Sequence, residues 1–387
     1  MNKLVKMSLV AAVAVSTLNA GALEEAIKGV NVSGAISIGF NNYDQQTGTA
    51  TSVKHNETEY DFYIKATVPV NDNITYTASA ENDYNAQVGG YTITAARPIV
   101  NVSGVQEVER TLYLKESYFT YANGGVTVMA GKQGVKTPWT SSVRGSGLVG
   151  MYNAGPVTVA AAHFENVTLL PTDSVSAAAV IGSFGGVNAS LWALDTSAGD
   201  GYSINVNGKI MDMVSYDVRH TTFELDSVAG VAQDEFELSK IVLGAAVGPV
   251  NLTLGYGMTN DVNIGTARSA GAGVALNKDN GEAADLYMDQ ARLDDYNDAQ
   301  AWVFGASTTM GAWTFGAVYL SAESDDVLGQ IVPTVTADVT ELNVNVKYAM
   351  SKNFSITGLY SDYELDVTGT AADYTDQRME VSLNYSF

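Results

Sequence analysis

Asp376-Gln377-Arg378-Met379-Glu380-Val381-Ser382-Leu383-Asn384-Tyr385-Ser386-Phe387 closes the chain, and its reading decides the fold. Met379, Val381, Leu383, Tyr385 and Phe387 alternate without a break with Glu380, Ser382, Asn384 and Ser386. A period of two is that of a β-strand with one apolar face, because successive side chains leave a strand on opposite sides. The same alternation recurs upstream. Val30, Val32, Ile36, Ile38 and Phe40 oppose Asn31, Ser33, Ser37 and Asn41; Tyr60, Phe62, Ile64, Ala66 and Val68 oppose Asp61, Tyr63, Lys65 and Thr67. Val250 to Tyr256 and Leu342 to Tyr348 repeat it.

The chain begins as an exported one does. Lys3 and Lys6 precede a short apolar run, Ser8 to Leu18, and Ala20-Gly21-Ala22 is a small-residue cleavage site, so residues 1–22 read as a signal peptide and 23–387 as the mature protein. Eleven apolar residues are too few to span a bilayer. Beyond them the longest apolar run, Ile241 to Val250, is interrupted by Gly248-Pro249, so no helical span is expected. With no cysteine there is neither a disulfide nor a thiolate metal site. Removing Lys3 and Lys6 from the 20 basic residues leaves 18 against 42 acidic, a net charge of −24. Nucleic acid is excluded as a natural partner, because binding it takes basic patches. Glycine, tyrosine and the small polar residues are spread evenly, which favours one large all-β unit over several domains.

The connections alternate between short and long. Short ones are expected at 69–73, 122–125, 154–156, 185–186, 211–212, 248–249, 311–312 and 351–353, most of them marked by glycine or proline. Longer polar loops are expected at 42–57, 85–109, 132–144, 165–174, 195–200, 226–232, 260–298, 323–336 and 365–375. Short turns on one side and long loops on the other is the layout of a transmembrane antiparallel β-barrel. Eight turns and nine loops join eighteen strands, or sixteen if the glycine- and alanine-rich stretch 145–195 holds two fewer. A strand pattern ending on phenylalanine resembles the terminal strand of bacterial outer-membrane barrels, with Tyr385 and Phe387 as the signal read by their assembly machinery. Tyr60, Tyr121, Tyr152, Trp313, Tyr348, Phe354 and Phe387 fall near strand ends, where aromatic girdles are expected.

Candidate chemistry is sparse. Gly145, Gly147 and Gly150 spell G-x-G-x-x-G, but no helix follows, so the motif lacks the context of a dinucleotide site. His55, His163 and His220 are the residues a barrel hydrolase would need, yet no motif surrounds them. The acidic loop 260–298 has the charge to hold divalent cations loosely, and Asn277 to Gly281 only partly matches a calcium loop. The third long loop carries Lys132, Lys136 and Arg144 without an acidic residue. In general porins the third loop folds into the barrel; the same here would set these three against inward carboxylates, for which Asp61, Glu81 and Glu380 are the candidates, the alternative being an ordinary exposed basic loop.

Leu23-Glu24-Glu25-Ala26-Ile27-Lys28-Gly29-Val30-Asn31-Val32-Ser33-Gly34 resembles the mature start of the Campylobacter-type, epsilonproteobacterial major outer-membrane porins, and Ala130-Gly131-Lys132-Gln133 and the terminal Phe387 are also similar. The resemblance implies an eighteen-stranded, homotrimeric, cation-preferring porin passing ions and small hydrophilic solutes, with no cofactor. A surface or adhesive protein with a plugged barrel, and a barrel hydrolase, are the alternatives.

Overall fold

The computed structural model describes residues 29–48, 52–85, 112–140, 143–167, 174–197, 199–211, 213–226, 235–260, 290–291, 296–327, 336–368 and 373–387. The expected signal peptide, residues 1–22, the acidic stretch 261–289 with its calcium-like segment, and the Leu23–Lys28 part of the family-like start lie outside them.

Eighteen strands follow one another: β1 (Asn31–Thr47), β2 (Val53–Asn71), β3 (Ile74–Asn85), β4 (Tyr113–Asn123), β5 (Val126–Gly134), β6 (Arg144–Ala154), β7 (Val157–Glu165), β8 (Ser174–Phe184), β9 (Val187–Thr196), β10 (Gly199–Ile210), β11 (Val214–Leu225), β12 (Glu235–Val247), β13 (Val250–Thr259), β14 (Tyr296–Met310), β15 (Trp313–Val327), β16 (Ala337–Ala349), β17 (Phe354–Val367) and β18 (Tyr374–Ser386). Each pairs antiparallel with the next, and β18 pairs with β1, so the sheet closes without an edge. Closure is what lipid demands, since an unpaired edge would leave backbone groups with no partner in hydrocarbon.

The closing seam runs from Ala35↔Ser386 to Thr47↔Tyr374. Phe387 extends it: its N–H donates to the carbonyl of Gly34, and the Gly34 N–H donates back, both at 3.0 Å. Gly34 has to be glycine for this. A Cβ there would stand 2.5 Å from the Phe387 ring and 2.6 Å from the Tyr63 carbonyl oxygen.

All eight expected short turns are present. Stretch 145–195 resolves into β6 to β9, which makes the count eighteen and not sixteen. Its pattern is blurred because alanine faces alanine on both sides of the sheet, as in Ala160↔Ala179, Ala161↔Ala178 and Ala162↔Ala177. Two loop expectations change. The connection expected at 195–200 is a tight link from Thr196 to Gly199, where Thr196 Oγ1 donates to the Gly199 carbonyl at 2.8 Å. The first loop shrinks to residues 48–52, because β1 and β2 pair as far out as Gln45↔Val53, which places His55 in a strand.

One face of the alternation points outward and stays apolar: Leu148 is 54% exposed and Phe304 52%. Aromatic rings bound this band. Trp313 packs on Tyr348 at 4.5 Å near the turns, and Trp302 packs on Tyr256 at 4.6 Å near the loops. The eight residue-to-residue steps from Trp302 to Met310, which pairs with Trp313, cover about 20 Å of height at ~3.3 Å per step and ~40° tilt. Rings project beyond their own backbone positions, so the band matches the hydrocarbon thickness that such barrels cross.

Candidate pore constriction

The third loop begins where β5 leaves the wall. Pairing of β4 with β5 stops at Ser117↔Lys132, whereas β5 and β6 stay paired to Gly134↔Arg144. The hairpin then continues: Val135 N–H donates to the Val143 carbonyl at 2.9 Å, and Thr137 and Thr140 exchange backbone bonds around Pro138-Trp139. Proline suits that turn because its ring sets φ for the first central position. One hairpin face is apolar and buried, with Val135 at 0%, Trp139 at 2% and Val143 at 2% exposure. The indole Nε1–H of Trp139 donates to the Thr222 carbonyl on β11 at 3.1 Å, five strands away from β6. The third loop therefore folds into the lumen.

Val135, Trp139 and Val143 join an apolar cluster formed by inward side chains near the loop ends of the strands, including Phe164, Phe223, Leu238, Val339 and Tyr363. Residues 290–291 dock on the same side of the lumen. The fully buried Glu341 carboxylate accepts from the Gln290 N–H at 3.0 Å, from the Ala291 N–H, and from Asn343 Nδ2 at 2.8 Å. Gln290 Nε2 donates to Ser361 Oγ at 3.1 Å. A buried carboxylate is tolerable only with such donors. The loop half of the lumen on the β7–β17 side is thus filled by apolar side chains and in-folded chain.

Polar inward groups gather on the other side. Register places Glu57, Glu59 and Asp61 of β2 and Asp376 and Glu380 of β18 on the inner face, against Lys65 and Arg378. Arg378 Nη2 lies 2.7 Å from Glu380, which also accepts from Ser382 Oγ, and the guanidinium lies over the Tyr43 ring. Between this wall and the polar face of the hairpin lies a recess of about 470 Å³. Lys136 and Arg144 enter it from the hairpin, and Lys65, Glu81, Lys115 and Glu116 from β2 to β4. A β-bulge makes this possible. Ser79 opposes Glu116 while Ala80 opposes Leu114, so Lys115 is the extra residue, and its ammonium reaches Glu81.

Of the six residues singled out from the sequence, Glu81, Arg144 and Lys136 meet in this recess. Glu81 does not oppose the basic groups from across the channel: Arg144 Nη2 is 3.8 Å from its Oε1, and Lys115 and Tyr113 bind it as well. Asp61 and Glu380 sit on the neighbouring inner wall. Lys132 does not line the recess; its Nζ donates to the Leu114 carbonyl at 2.9 Å, where β4 and β5 part. Sequence reasoning missed Lys65, Lys115, Glu116 and Arg378. Lys65 and Arg378 were legible from strand parity, since each shares a face with an identified carboxylate. Lys115 was hidden by the bulge, which breaks that parity.

The three histidines are dispersed. His55 stacks on Tyr43 with ring centroids 4.6 Å apart, while His163 and His220 each meet a serine of the next strand, Ser176 at 3.0 Å and Ser239 at 2.8 Å. Among the described residues no group of three or more histidines, aspartates and glutamates is arranged to hold a metal ion. Gly145, Gly147 and Gly150 lie on strand β6, with no helix behind them.

Among curated proteins none matches the chain. Solved structures do match by fold. OccAB1 of Acinetobacter baumannii superposes with a TM-score of 0.66 at 14% identity, over 92% of this chain and 97% of that one. OpdK of Pseudomonas aeruginosa, solved with vanillate, gives 0.66 at 10% identity, over 92% and 99%. OccK2 (OpdF) of Pseudomonas aeruginosa, in complex with glucuronate, gives 0.66 at 12% identity, over 92% and 98%. The family model of the Campylobacter major outer membrane protein matches residues 2–326. A closed eighteen-stranded barrel, an apolar outer band and a polar path beside an in-folded third loop agree with that match: the chain belongs to the Campylobacter major outer membrane protein family and is an outer-membrane porin.

Proposed function

We propose that this porin is a cation-preferring channel for ions and small hydrophilic solutes, with its selectivity set on the inner faces of β18, β1 and β2. The observation that carries this is the charge of that wall: five carboxylates, Glu57, Glu59, Asp61, Asp376 and Glu380, against Lys65 and Arg378. Local charge at the narrow part of a pore governs permeation more than the total charge does, and the sign here favours cations. The narrowing is made by the hairpin of the third loop, with Lys136 and Arg144 beside the wall and not across from it.

Single-channel recording in a planar bilayer under a KCl gradient tests this. Stepwise conductance with a cation-selective reversal potential is the expected result, and the combined variant Glu57→Gln, Glu59→Gln, Asp61→Asn is expected to lower the cation-to-anion permeability ratio several-fold. The preference should fade between 0.1 M and 1 M salt, as the screening length falls from ~10 Å to ~3 Å. An anion-selective reversal potential in the native protein would refute the assignment.

We also infer a homotrimer delivered by the barrel assembly machinery through Tyr385 and Phe387, with the apolar outer band in contact with lipid and protein. Migration of the unheated complex at three times the mass of the heated chain supports the trimer, and a monomer in mild detergent opposes it.

A further inference from the structure

The recess beside the constriction differs in charge from the acidic wall of β18, β1 and β2. Four cations, Lys65, Lys115, Lys136 and Arg144, surround it with two carboxylates, Glu81 and Glu116, a formal excess of two positive charges in a strongly acidic chain. The carboxylates are already engaged. Glu81 is held by Lys115, Tyr113 and Arg144, and Glu116 accepts from Ser79 Oγ at 3.2 Å. Lys65 and Lys136 form no ion pair or hydrogen bond among the described residues, and they stand on opposite sides of the space, one on β2 and one on the hairpin. The remaining walls offer flat or apolar surface from Tyr63, Tyr118 and Met129.

Two ammonium groups that line a space of about 470 Å³, within the range of small-molecule sites, give an anion two donors there. Inorganic anions would use the charges but leave the tyrosine and methionine surfaces unused. A carboxylate on a compact organic body uses both: its two oxygens take ammonium donors while the body lies against Tyr118 and Met129, the Tyr63 ring being covered by the Lys115 ammonium 5.4 Å from its centroid.

We propose that this recess is a docking subsite for small organic carboxylates in transit, held at the anionic end by Lys65 and Lys136. The subsite rests on the porin reading but not on its selectivity: inorganic cations pass along the acidic wall of β18, β1 and β2, while an organic anion pauses at this net-positive recess beside it. Lys115 and Arg144 act through Glu81, which keeps that carboxylate neutralised and out of competition with the ligand.

The test is current interruption by benzoate in single-channel recordings, with inorganic phosphate and neutral benzamide alongside. Benzoate is expected to produce resolvable, concentration-dependent blocking events, benzamide none, and phosphate weaker ones. In the double variant Lys65→Gln, Lys136→Gln the apparent affinity for benzoate is expected to fall at least tenfold while heat-modifiable migration shows the barrel still folded. Lys132→Gln, outside the recess, should leave blocking unchanged. Benzoate blocking that survives the double variant, or that benzamide or phosphate reproduces equally, would overturn the subsite and leave the porin standing. A folded barrel with no conductance would overturn both.

Discussion

Glu341 is the point at which the barrel wall holds the chain that folds back into it, and removing its acceptor oxygens should release residues 290–291. In Glu341→Ala the N–H groups of Gln290 and Ala291 and the amide of Asn343 lose their acceptor together. A buried donor left unpaired costs about 1–3 kcal/mol. Because the lumen lets water reach part of the released segment, a net loss of about 2–5 kcal/mol of docking free energy is the reasonable range for the three. At ~1.4 kcal/mol per decade, the detached population rises roughly thirty-fold to a few thousand-fold. The chain has no cysteine, so a single reporter can be introduced cleanly. Ala291 is 2% exposed and Ala291→Cys adds one atom, so its thiol should react slowly with a soluble methanethiosulfonate in the otherwise native barrel. Adding Glu341→Ala should raise that rate at least thirty-fold, and Glu341→Gln, which retains one acceptor oxygen, by less. Heat-modifiable migration checks that each variant remains a folded barrel. An unchanged rate in a folded Glu341→Ala barrel would refute the view that this carboxylate pins the segment.

Two further predictions follow from the same packing logic. Trp139→Ala removes both the anchor of the third-loop hairpin and its bond to Thr222, a loss of about 3–5 kcal/mol that should show as larger and noisier single-channel current without loss of the folded barrel. Gly34→Val places atoms where the Phe387 ring and the Tyr63 carbonyl already lie, so it should cost about 1–3 kcal/mol at the seam and lower the temperature at which the barrel migrates as unfolded; an unchanged temperature would show that the seam can shift freely.

The strands and turns were readable because each depends on local chemistry. Alternation along Met379–Phe387 needs only the pleat, and Gly248-Pro249 needs only the backbone freedom and constraint of two residues. The barrel followed from counting such units, and the N-terminal resemblance pointed to the same family that the match over residues 2–326 shows. Lys132 shows where local reading ends. It belongs to the same basic stretch as Lys136 and Arg144, but β5 continues through it to Gly134, and its ammonium is spent on a backbone carbonyl. Lys115 shows the converse: one unpaired residue in β4 turns it into the lumen, and no periodicity marks that residue in advance.

By itself the sequence determined that this is an exported, acidic, all-β chain whose strands carry one apolar and one polar face, and hence that it closes into a barrel in a membrane, since period and turn chemistry act over a few residues. Only the tertiary structure decided what the lumen contains. Register between strands far apart in sequence brings Glu81 to Lys115 and Arg144, sends Trp139 to Thr222, and seats Gln290 and Ala291 on Glu341. Those contacts join residues 34 to 83 positions apart, and their energies depend on burial and on which donors converge, quantities that a one-dimensional pattern does not carry.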